Sequence, residues 1–282
     1  DYECFRGLRS AMHAAIRYFH THLLIPHERT APFIMIRFII IFVCVVLFLI
    51  VSLPIQFVLF IIGKFNPEIK GRVSLAIVGW AFRCVKVISG VDLTVIGEEN
   101  VPKDRPVLYI SNHRSYYDVI LTYYRVPRQT GYIAKDVMAK IPSFSRWMRY
   151  MHCLFLDRSD IKKGMQTIKD AIDLINNGIS VHVCPEGTRN KTDEPLQEFH
   201  KGTFKIAERT GCTIIPVTIN NSESIYEKQR PRIVPSKVIL EYGKPIETAS
   251  LTRDEKKQLC ENVREIILET YLKNQKLLEA DK

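Results

Sequence analysis

The sequence lacks any pair of cysteines in the arrangement that redox and zinc-binding motifs require. Its seven cysteines are scattered along 282 residues, and no two of them form a C-x-x-C motif. An odd, dispersed set does not predict a disulfide framework or a cysteine-based zinc site. We therefore expect reduced thiols, which are typical of a cytosolic compartment.

Other short motifs are also missing. No G-x-S-x-G string marks a serine nucleophile, and Cys184 has no such surroundings, so we interpret it as a packing residue. The spacing of Cys, His and acidic residues predicts no metal site, and we expect no cofactor. No internal repeat and no low-complexity linker divides the chain.

The charge is unbalanced. Lys and Arg number 40 against 30 Asp and Glu, a formal net charge of +10. This excess favours partners that carry phosphate, such as nucleic acid, anionic lipid or a phosphorylated substrate, although a solvated basic surface explains it as well. No aromatic-rich basic motif supports nucleic acid, so we expect none as a partner.

One long segment, residues 38–62, contains no charged side chain. As a single helix it would extend about 37 Å, longer than the hydrocarbon core of a bilayer at about 30 Å. Pro54 interrupts it, so a helix over residues 33–51 followed by a shorter one ending near residue 63 is an alternative to one tilted span. Basic residues flank both ends and give no orientation, and we favour a broken hairpin that enters and leaves from one membrane face.

The sequence pattern divides the chain into three regions. Residues 1–32 combine apolar residues at helical spacing with basic ones, which predicts an amphipathic segment on the membrane surface or against the domain. Residues 33–63 are the membrane-embedded segment. Residues 64–282 alternate between strand and helix patterns, and a C-terminal helix is predicted over residues 252–276.

The third region predicts an α/β domain. Asp160 and the capping box Thr252-x-x-Glu255 mark helix starts. Seven segments rich in β-branched and apolar residues predict strands, namely residues 91–96, 106–111, 131–134, 153–156, 179–184, 213–219 and 237–242. We predict a single domain with a central mixed sheet flanked by helices.

The strand at residues 106–111 leads into Asn112-His113-x4-Asp118. On a regular helix His113 and Asp118 would lie about 140° apart, so they meet only if the histidine lies in the preceding turn. That arrangement would hold one ring nitrogen and leave the other free to take a proton. A helix-capping histidine beside a solvated aspartate is the plainer explanation of this motif taken alone.

A second string, Pro185-Glu186-Gly187-Thr188-Arg189, leaves the strand at residues 179–184. Arginine binds phosphate through paired charge-assisted hydrogen bonds, and small residues before it let a substrate approach the backbone. A surface turn with an ion pair between Glu186 and Arg189 explains the string equally well when it is taken alone.

Four ordered blocks resemble the glycerophospholipid acyltransferase (PlsC-like) family, and within it bacterial 1-acylglycerol-3-phosphate acyltransferases. The blocks are Asn112-His113-x4-Asp118; Lys135 through Pro142 to Phe155-Leu156-Asp157-Arg158; Pro185 to Arg189; and Lys201-Gly202-Thr203-Phe204 leading to Ile214-Ile215-Pro216-Val217. The similarity covers roughly residues 85–247. Cys184 departs from the phenylalanine frequent in the family, and Glu198-Phe199-His200 departs from the usual lead into the fourth block.

The resemblance implies an O-acyltransferase that moves a fatty acyl group from acyl-CoA or acyl carrier protein to lysophosphatidic acid, forming phosphatidic acid in phospholipid biosynthesis. It implies a cell-membrane enzyme whose active site faces the cytoplasm. His113 would be the general base and Asp118 its partner. The residues implied for the acceptor phosphate are Glu186, Gly187, Thr188, Arg189, Arg158, Lys135 and, more weakly, Lys201, with Asn112 and Gly202 in support.

A thioester is already activated, so we expect direct attack by the acceptor without an acyl-enzyme. Two alternatives stay open. One is an acyltransferase for glycerol 3-phosphate or another lysophospholipid, and the other is a non-catalytic, membrane-anchored protein that binds lipid phosphate. The sequence does not determine the acyl donor, the chain length or the oligomeric state.

Overall fold

The computed structural model describes residues 31–157 and 160–280. The predicted amphipathic segment, residues 1–32, therefore lies almost wholly outside the described residues. The strands are β1 Asp92–Ile96, β2 Val107–Ser111, β3 Thr130–Lys135, β4 Leu154–Leu156, β5 Ser180–Val183, β6 Thr213–Asn220 and β7 Lys237–Tyr242. The α-helices are α1 Ala31–Val51, α2 Leu53–Phe65, α3 Pro67–Ser89, α4 Tyr117–Tyr123, α5 Pro142–Tyr150, α6 Ile161–Asn176, α7 Lys205–Thr210 and α8 Arg253–Ala280.

The strands form one mixed sheet in the order β1-β7-β6-β2-β5-β3-β4. Strands β6, β2, β5, β3 and β4 run parallel, whereas β7 pairs antiparallel with β6. The prediction of a central mixed sheet flanked by helices is confirmed, and each predicted strand occurs within two residues of its predicted ends. The five parallel strands bring their carboxyl ends to one edge of the sheet, where ligand sites of open α/β sheets commonly lie.

Helices cover both faces of this sheet because β2 is apolar on both sides. Leu108 and Ile110 belong to the core shared with α6, α7 and α8, whereas Val107 and Tyr109 belong to the core shared with α3 and α4. These four side chains are at most 1% exposed. A strand buried on both faces anchors the residues that follow it, and the motif at residues 112–118 follows directly after β2.

Two of the predicted helix caps are present. The Asp160 carboxylate accepts hydrogen bonds from the backbone N–H groups of Lys162 and Lys163 at 2.9 and 3.2 Å. The Glu255 carboxylate accepts from the Thr252 N–H at 2.7 Å, and the Thr252 hydroxyl accepts from the Glu255 N–H at 3.3 Å. These bonds satisfy N–H groups that a helix start leaves without intrahelical partners.

The apolar run is broken into two helices. α1 ends at Val51 and α2 begins at Leu53, with Pro54 in its first turn. Among the described residues no single helix is long and apolar enough to cross a membrane, whereas Met35–Val51 and Leu53–Phe65, bent by 47°, together meet the length and composition that a span needs. The structure thus has the break of the two-helix alternative, and the membrane location of this pair stays a prediction.

The two polar residues of the apolar run, Ser52 and Gln56, face α5 and are at most 1% exposed. The Gln56 side-chain amide donates to the Ser143 hydroxyl at 2.9 Å, and the Trp147 indole N–H donates to the Ser52 hydroxyl at 3.0 Å. The Tyr150 hydroxyl donates to the Gln56 carbonyl at 2.9 Å. These bonds attach the bent pair to the domain because a buried polar group without a partner is costly.

We expect Gln56→Ala to lower the free energy of unfolding by about 1–3 kcal/mol, because the Ser143 hydroxyl would lose its donor. Val58 lies on the same helix and is 52% exposed, so Val58→Ala should cost about 0.5 kcal/mol or less. Urea unfolding in a neutral detergent, followed by tryptophan fluorescence, measures both variants. Equal losses would contradict a specific attachment through Gln56.

Candidate active site

The candidate site lies at the carboxyl edge of the parallel strands. β2 ends at Ser111 and continues into the turn that contains His113, while β5 ends at Val183 and continues into the loop that contains Glu186 and Arg189. β2 and β5 are hydrogen-bonded neighbours in parallel register, with Ile110 opposite Val183. The sheet therefore brings together two motifs that are about seventy residues apart in the chain.

His113 and Asp118 are in contact. The His113 Nδ1 atom lies 2.8 Å from the Asp118 Oδ2 atom. His113 lies in the turn before α4, and Asp118 is the second residue of that helix. His113 Nε2 has no hydrogen bond to any residue in the described ranges, and the side chain is 21% exposed. One ring nitrogen is thus held, and the other is available to a substrate.

The Asp118 carboxylate has further donors. Its Oδ2 atom accepts the backbone N–H groups of Arg114 and Ser115, each at 2.8 Å, and its Oδ1 atom accepts the Ser222 hydroxyl. With His113, four hydrogen bonds fix this carboxylate, which is only 3% exposed. An ionised carboxylate only accepts hydrogen bonds, and each of these partners can supply a proton to it.

Glu186 holds the backbone of both loops. Its Oε1 atom accepts the His113 N–H at 2.8 Å, and its Oε2 atom accepts the Gln197 N–H at 3.0 Å. Burial raises the pKa of this carboxyl, while the two N–H donors act in the opposite direction. With both oxygens occupied and 4% exposure, Glu186 lies behind the histidine turn, whereas the resemblance implied that it contacts the acceptor.

Asn112 attaches the same turn to β6. Its side-chain amide donates to the Ile219 carbonyl, and its side-chain oxygen accepts the Ile219 N–H, both at 2.8 Å. This reciprocal pair holds the histidine turn against β6, and the supporting role that the resemblance implies for Asn112 stays a prediction. On the other side, the Asn190 N–H donates to the His113 carbonyl at 2.7 Å. The backbone of His113 is therefore held by Glu186 and Asn190 together.

Arg189 lies against the start of α4. Its guanidinium carbon is 3.7 Å from the centroid of the Tyr116 ring, and its Nη2 atom donates to the Tyr116 hydroxyl at 3.0 Å. Its Nη1 atom donates to Glu227 at 3.1 Å. The turn before it needs a glycine at residue 187, because φ there is +73°, and Thr188 is exposed. Arg189 is therefore paired with a carboxylate other than the Glu186 of the surface-turn interpretation.

The remaining predicted residues lie apart from this cluster. Lys135 is exposed at the end of β3, which is two strands from β2 and hence about 10 Å away along the sheet. Lys201 and Gly202 are exposed in the 3₁₀ turn Lys201–Phe204, and neither lysine side chain has a hydrogen bond to another described residue. Arg158 lies outside the described residues. The structure thus brings His113, Asp118 and Arg189 together with their supports, but not these lysines.

Several residues of the site, among them Ser222, Glu227 and His182, were not predicted from the sequence. Ser222 donates to Asp118, 104 residues earlier in the chain, and Glu227 accepts from Arg189, 38 residues earlier, and both lie in the segment after β6. No local pattern marks either of them. His182 had a signal, since a histidine inside the apolar strand β5 is unusual.

His182 lies beneath the site. It shares a hydrogen bond of 2.7 Å with the Ser111 hydroxyl and stacks on Tyr132 with ring centroids 4.3 Å apart. Burial, and to a lesser degree His113, lower the pKa of His182 to about 3, and Asp118 acts in the opposite direction. The ring is therefore neutral near pH 7 and does not compete with His113 for a proton.

Residues 92–220 match the sequence profile of a family described as Acyltransferase. Together with the relatives below, this match confirms the predicted resemblance to the acyltransferases. The matched range contains each of the four blocks, and it begins at the first residue of β1 and ends at the last residue of β6.

Curated relatives cover more of the chain. A 1-acyl-sn-glycerol-3-phosphate acyltransferase of Saccharomyces cerevisiae is 29% identical over 191 residues, which are 67% of this chain and 63% of the relative. One of Borreliella burgdorferi is 28% identical over 188 residues, 66% of this chain and 75% of the relative. A chloroplastic one of Arabidopsis thaliana is 34% identical over 134 residues, 47% of this chain and 37% of the relative. The chain thus spans less than two thirds of the yeast and plant relatives.

The fold also matches a solved structure. The crystal structure of the 1-acyl-sn-glycerophosphate (LPA) acyltransferase, PlsC, from Thermotoga maritima superposes with a TM-score of 0.69 at 24% identity. The match covers 86% of this chain and 96% of that one. It supports the same α/β architecture with a mixed central sheet.

We predict that His182 makes stability depend on pH. Below pH about 6.5 the unfolded chain binds a proton at residue 182 that the folded protein excludes, so stability falls as the pH falls towards the folded pKa of about 3. At pH 4.5 this residue should cost the wild type about 2–3 kcal/mol relative to pH 7.5. His182→Gln should lack this part of the pH dependence.

Urea unfolding of both proteins between about pH 4.5 and 7.5 in neutral detergent measures the difference. His200→Ala, which changes an exposed histidine, should keep the wild-type slope. Parallel pH dependences for His182→Gln and the wild type would show that residue 182 is not buried as a neutral ring.

Proposed function

We propose that this chain, which resembles an acyltransferase family over residues 92–220, moves a fatty acyl group from acyl-CoA or acyl carrier protein to the sn-2 hydroxyl of 1-acylglycerol 3-phosphate. The product is phosphatidic acid. The observation that carries the proposal is the His113–Asp118 contact, which leaves Nε2 free at the strand edge where Arg189 also lies. The relatives named as 1-acyl-sn-glycerol-3-phosphate acyltransferases support this acceptor.

His113 acts as the general base. Its Nε2 atom removes the proton of the acceptor hydroxyl while the oxygen attacks the thioester carbonyl carbon, a contribution of about 10²–10⁴ in rate. Asp118 accepts the Nδ1–H, keeps the tautomer that exposes Nε2, and stabilises the imidazolium that forms. When the tetrahedral intermediate collapses, the C–S bond breaks and the imidazolium returns the proton to the leaving thiolate. The acyl group does not pass through an enzyme nucleophile.

Arg189 binds the acceptor phosphate. Its guanidinium is a planar donor that suits phosphate, and stacking on Tyr116 fixes its plane. The loop held by Glu186 sets its distance from His113, since both loops share that carboxylate. Lys135 and Lys201 contribute longer-range attraction for anionic substrate or lipid, because both are exposed.

The enzyme works at the cell membrane with its site facing the cytoplasm. The bent helix pair exposes a broad apolar surface in which Phe42, Val51 and Phe57 are 60–67% exposed. Soluble monomers rarely expose contiguous apolar patches of that kind, and a bilayer would cover it. Insertion from one face suits the 47° bend and the basic flanks, and it delivers the acceptor from the lipid phase.

We expect purified protein in mixed micelles with EDTA to form phosphatidic acid from lysophosphatidic acid and an acyl thioester. His113→Ala should lower kcat by about 10²–10⁴, because only the base is removed. Product formation is measured with lysophosphatidic acid and glycerol 3-phosphate offered side by side, each with acyl-CoA and with acyl carrier protein.

His200→Ala is the matched control, since this exposed histidine makes no side-chain hydrogen bond to another described residue and should leave kcat unchanged. Product from glycerol 3-phosphate alone would show that glycerol 3-phosphate is the acceptor, and the proposed mechanism of acyl transfer would still hold. Phospholipid binding without turnover from either donor would refute the enzyme and favour a lipid-phosphate binding protein.

A further inference from the structure

The segment after β6 returns to the site and carries a second arginine. Glu227 accepts the Ser115 hydroxyl at 2.6 Å, the Tyr116 N–H at 2.9 Å and Arg189 Nη1 at 3.1 Å. Arg230 lies 4.0 Å from the same Glu227 Oε1 atom. Two guanidinium groups therefore converge on one carboxylate oxygen.

The ring of Tyr116 organises both arginines. The Arg189 guanidinium carbon lies 3.7 Å from the ring centroid and that of Arg230 lies 6.0 Å away. The Arg189 side chain is 19% exposed and that of Arg230 is 47% exposed. Because the two positive charges face a single negative charge, this cluster carries an excess charge of +1 beside the start of α4.

The position of Arg230 also points towards the lipid phase. Its guanidinium carbon lies 5.1 Å from the ring centroid of Tyr226, and that ring stacks on Phe38 of α1 with centroids 6.0 Å apart. Arg230 is thus joined through one aromatic contact to the apolar helix pair, whereas Arg189 is joined to the loop beside His113. A lipid phosphate that enters from α1 would meet both arginines.

Resting on the proposed function, we propose that Arg230 is a second phosphate-binding residue and forms, with Arg189, a two-arginine clamp for the acceptor. A phosphate monoester carries a charge of about −1.5 to −2 near pH 7, which one guanidinium does not balance. The Glu227 Oε1 atom marks the place of an anionic oxygen between the two side chains. Phosphate displaces the Glu227 Oε1 atom from the two arginines and from the Tyr116 N–H, while Glu227 keeps its Oε2 bond to the Ser115 hydroxyl.

The test measures kinetics in neutral detergent micelles, where attraction to anionic lipid does not contribute. We expect Arg230→Gln to raise the KM for lysophosphatidic acid about tenfold, because a charge-assisted contact is lost, and to leave kcat and the KM for the thioester within about twofold. Arg230→Lys keeps the charge but not the planar fork, so its KM should be intermediate. Competitive inhibition by inorganic phosphate should weaken in parallel.

Arg232→Gln is the matched control. Arg232 is exposed and lies two residues from Arg230, so this variant removes the same charge close by. It should behave as the wild type. Equal KM values for Arg230→Gln and Arg232→Gln would overturn the clamp, and so would a fall in kcat with an unchanged KM. If the wild type forms no phosphatidic acid, the proposed function fails before the variants are compared, whereas an active wild type with an unaffected Arg230→Gln refutes the clamp alone.

Discussion

The site depends on how the Asp118 carboxylate is held. It is almost fully buried, and burial of a charge is costly unless hydrogen bonds compensate. Two backbone N–H groups of the preceding turn, the Ser222 hydroxyl and the His113 ring provide that compensation. The ring can therefore be positioned only if the turn after β2 and the segment after β6 are both in place.

The parallel sheet supplies this condition. β2 lies between β5 and β6, so the segments that follow these three strands meet at one edge. Glu186, after β5, holds the His113 backbone, and Ser222 and Glu227, after β6, hold Asp118 and Arg189. The carboxylates of Asp118, Glu186 and Glu227 thus connect the loops through hydrogen bonds. His113 and Arg189 therefore both lie at the start of α4, where Arg189 stacks on Tyr116.

The sequence predicted the parts of this site that local patterns encode. The seven strands follow from short apolar segments, and the meeting of His113 with Asp118 follows from their spacing at a strand end. Ser222 and Glu227 could not be predicted, because strand order and register bring Ser222 to Asp118 across 104 residues and Glu227 to Arg189 across 38 residues. The sequence singled out Glu186 as a site residue, but it did not predict the hydrogen bonds that Glu186 accepts from two backbone N–H groups. Ser52 and Gln56 stood out in the sequence as polar residues of the apolar run, and only their hydrogen bonds to α5 explain why they occur there.

The central claim is that Asp118 orients His113 and stabilises its charged form. The most direct measurement is kcat and KM of Asp118→Asn with lysophosphatidic acid, alongside circular dichroism to verify the fold. Asparagine keeps the shape but can present its amide N–H₂ to Nδ1 and favour the wrong tautomer, so we predict a fall in kcat of about 10²-fold or more with a similar KM. A folded variant that retains a kcat within about threefold of the wild type would contradict the account.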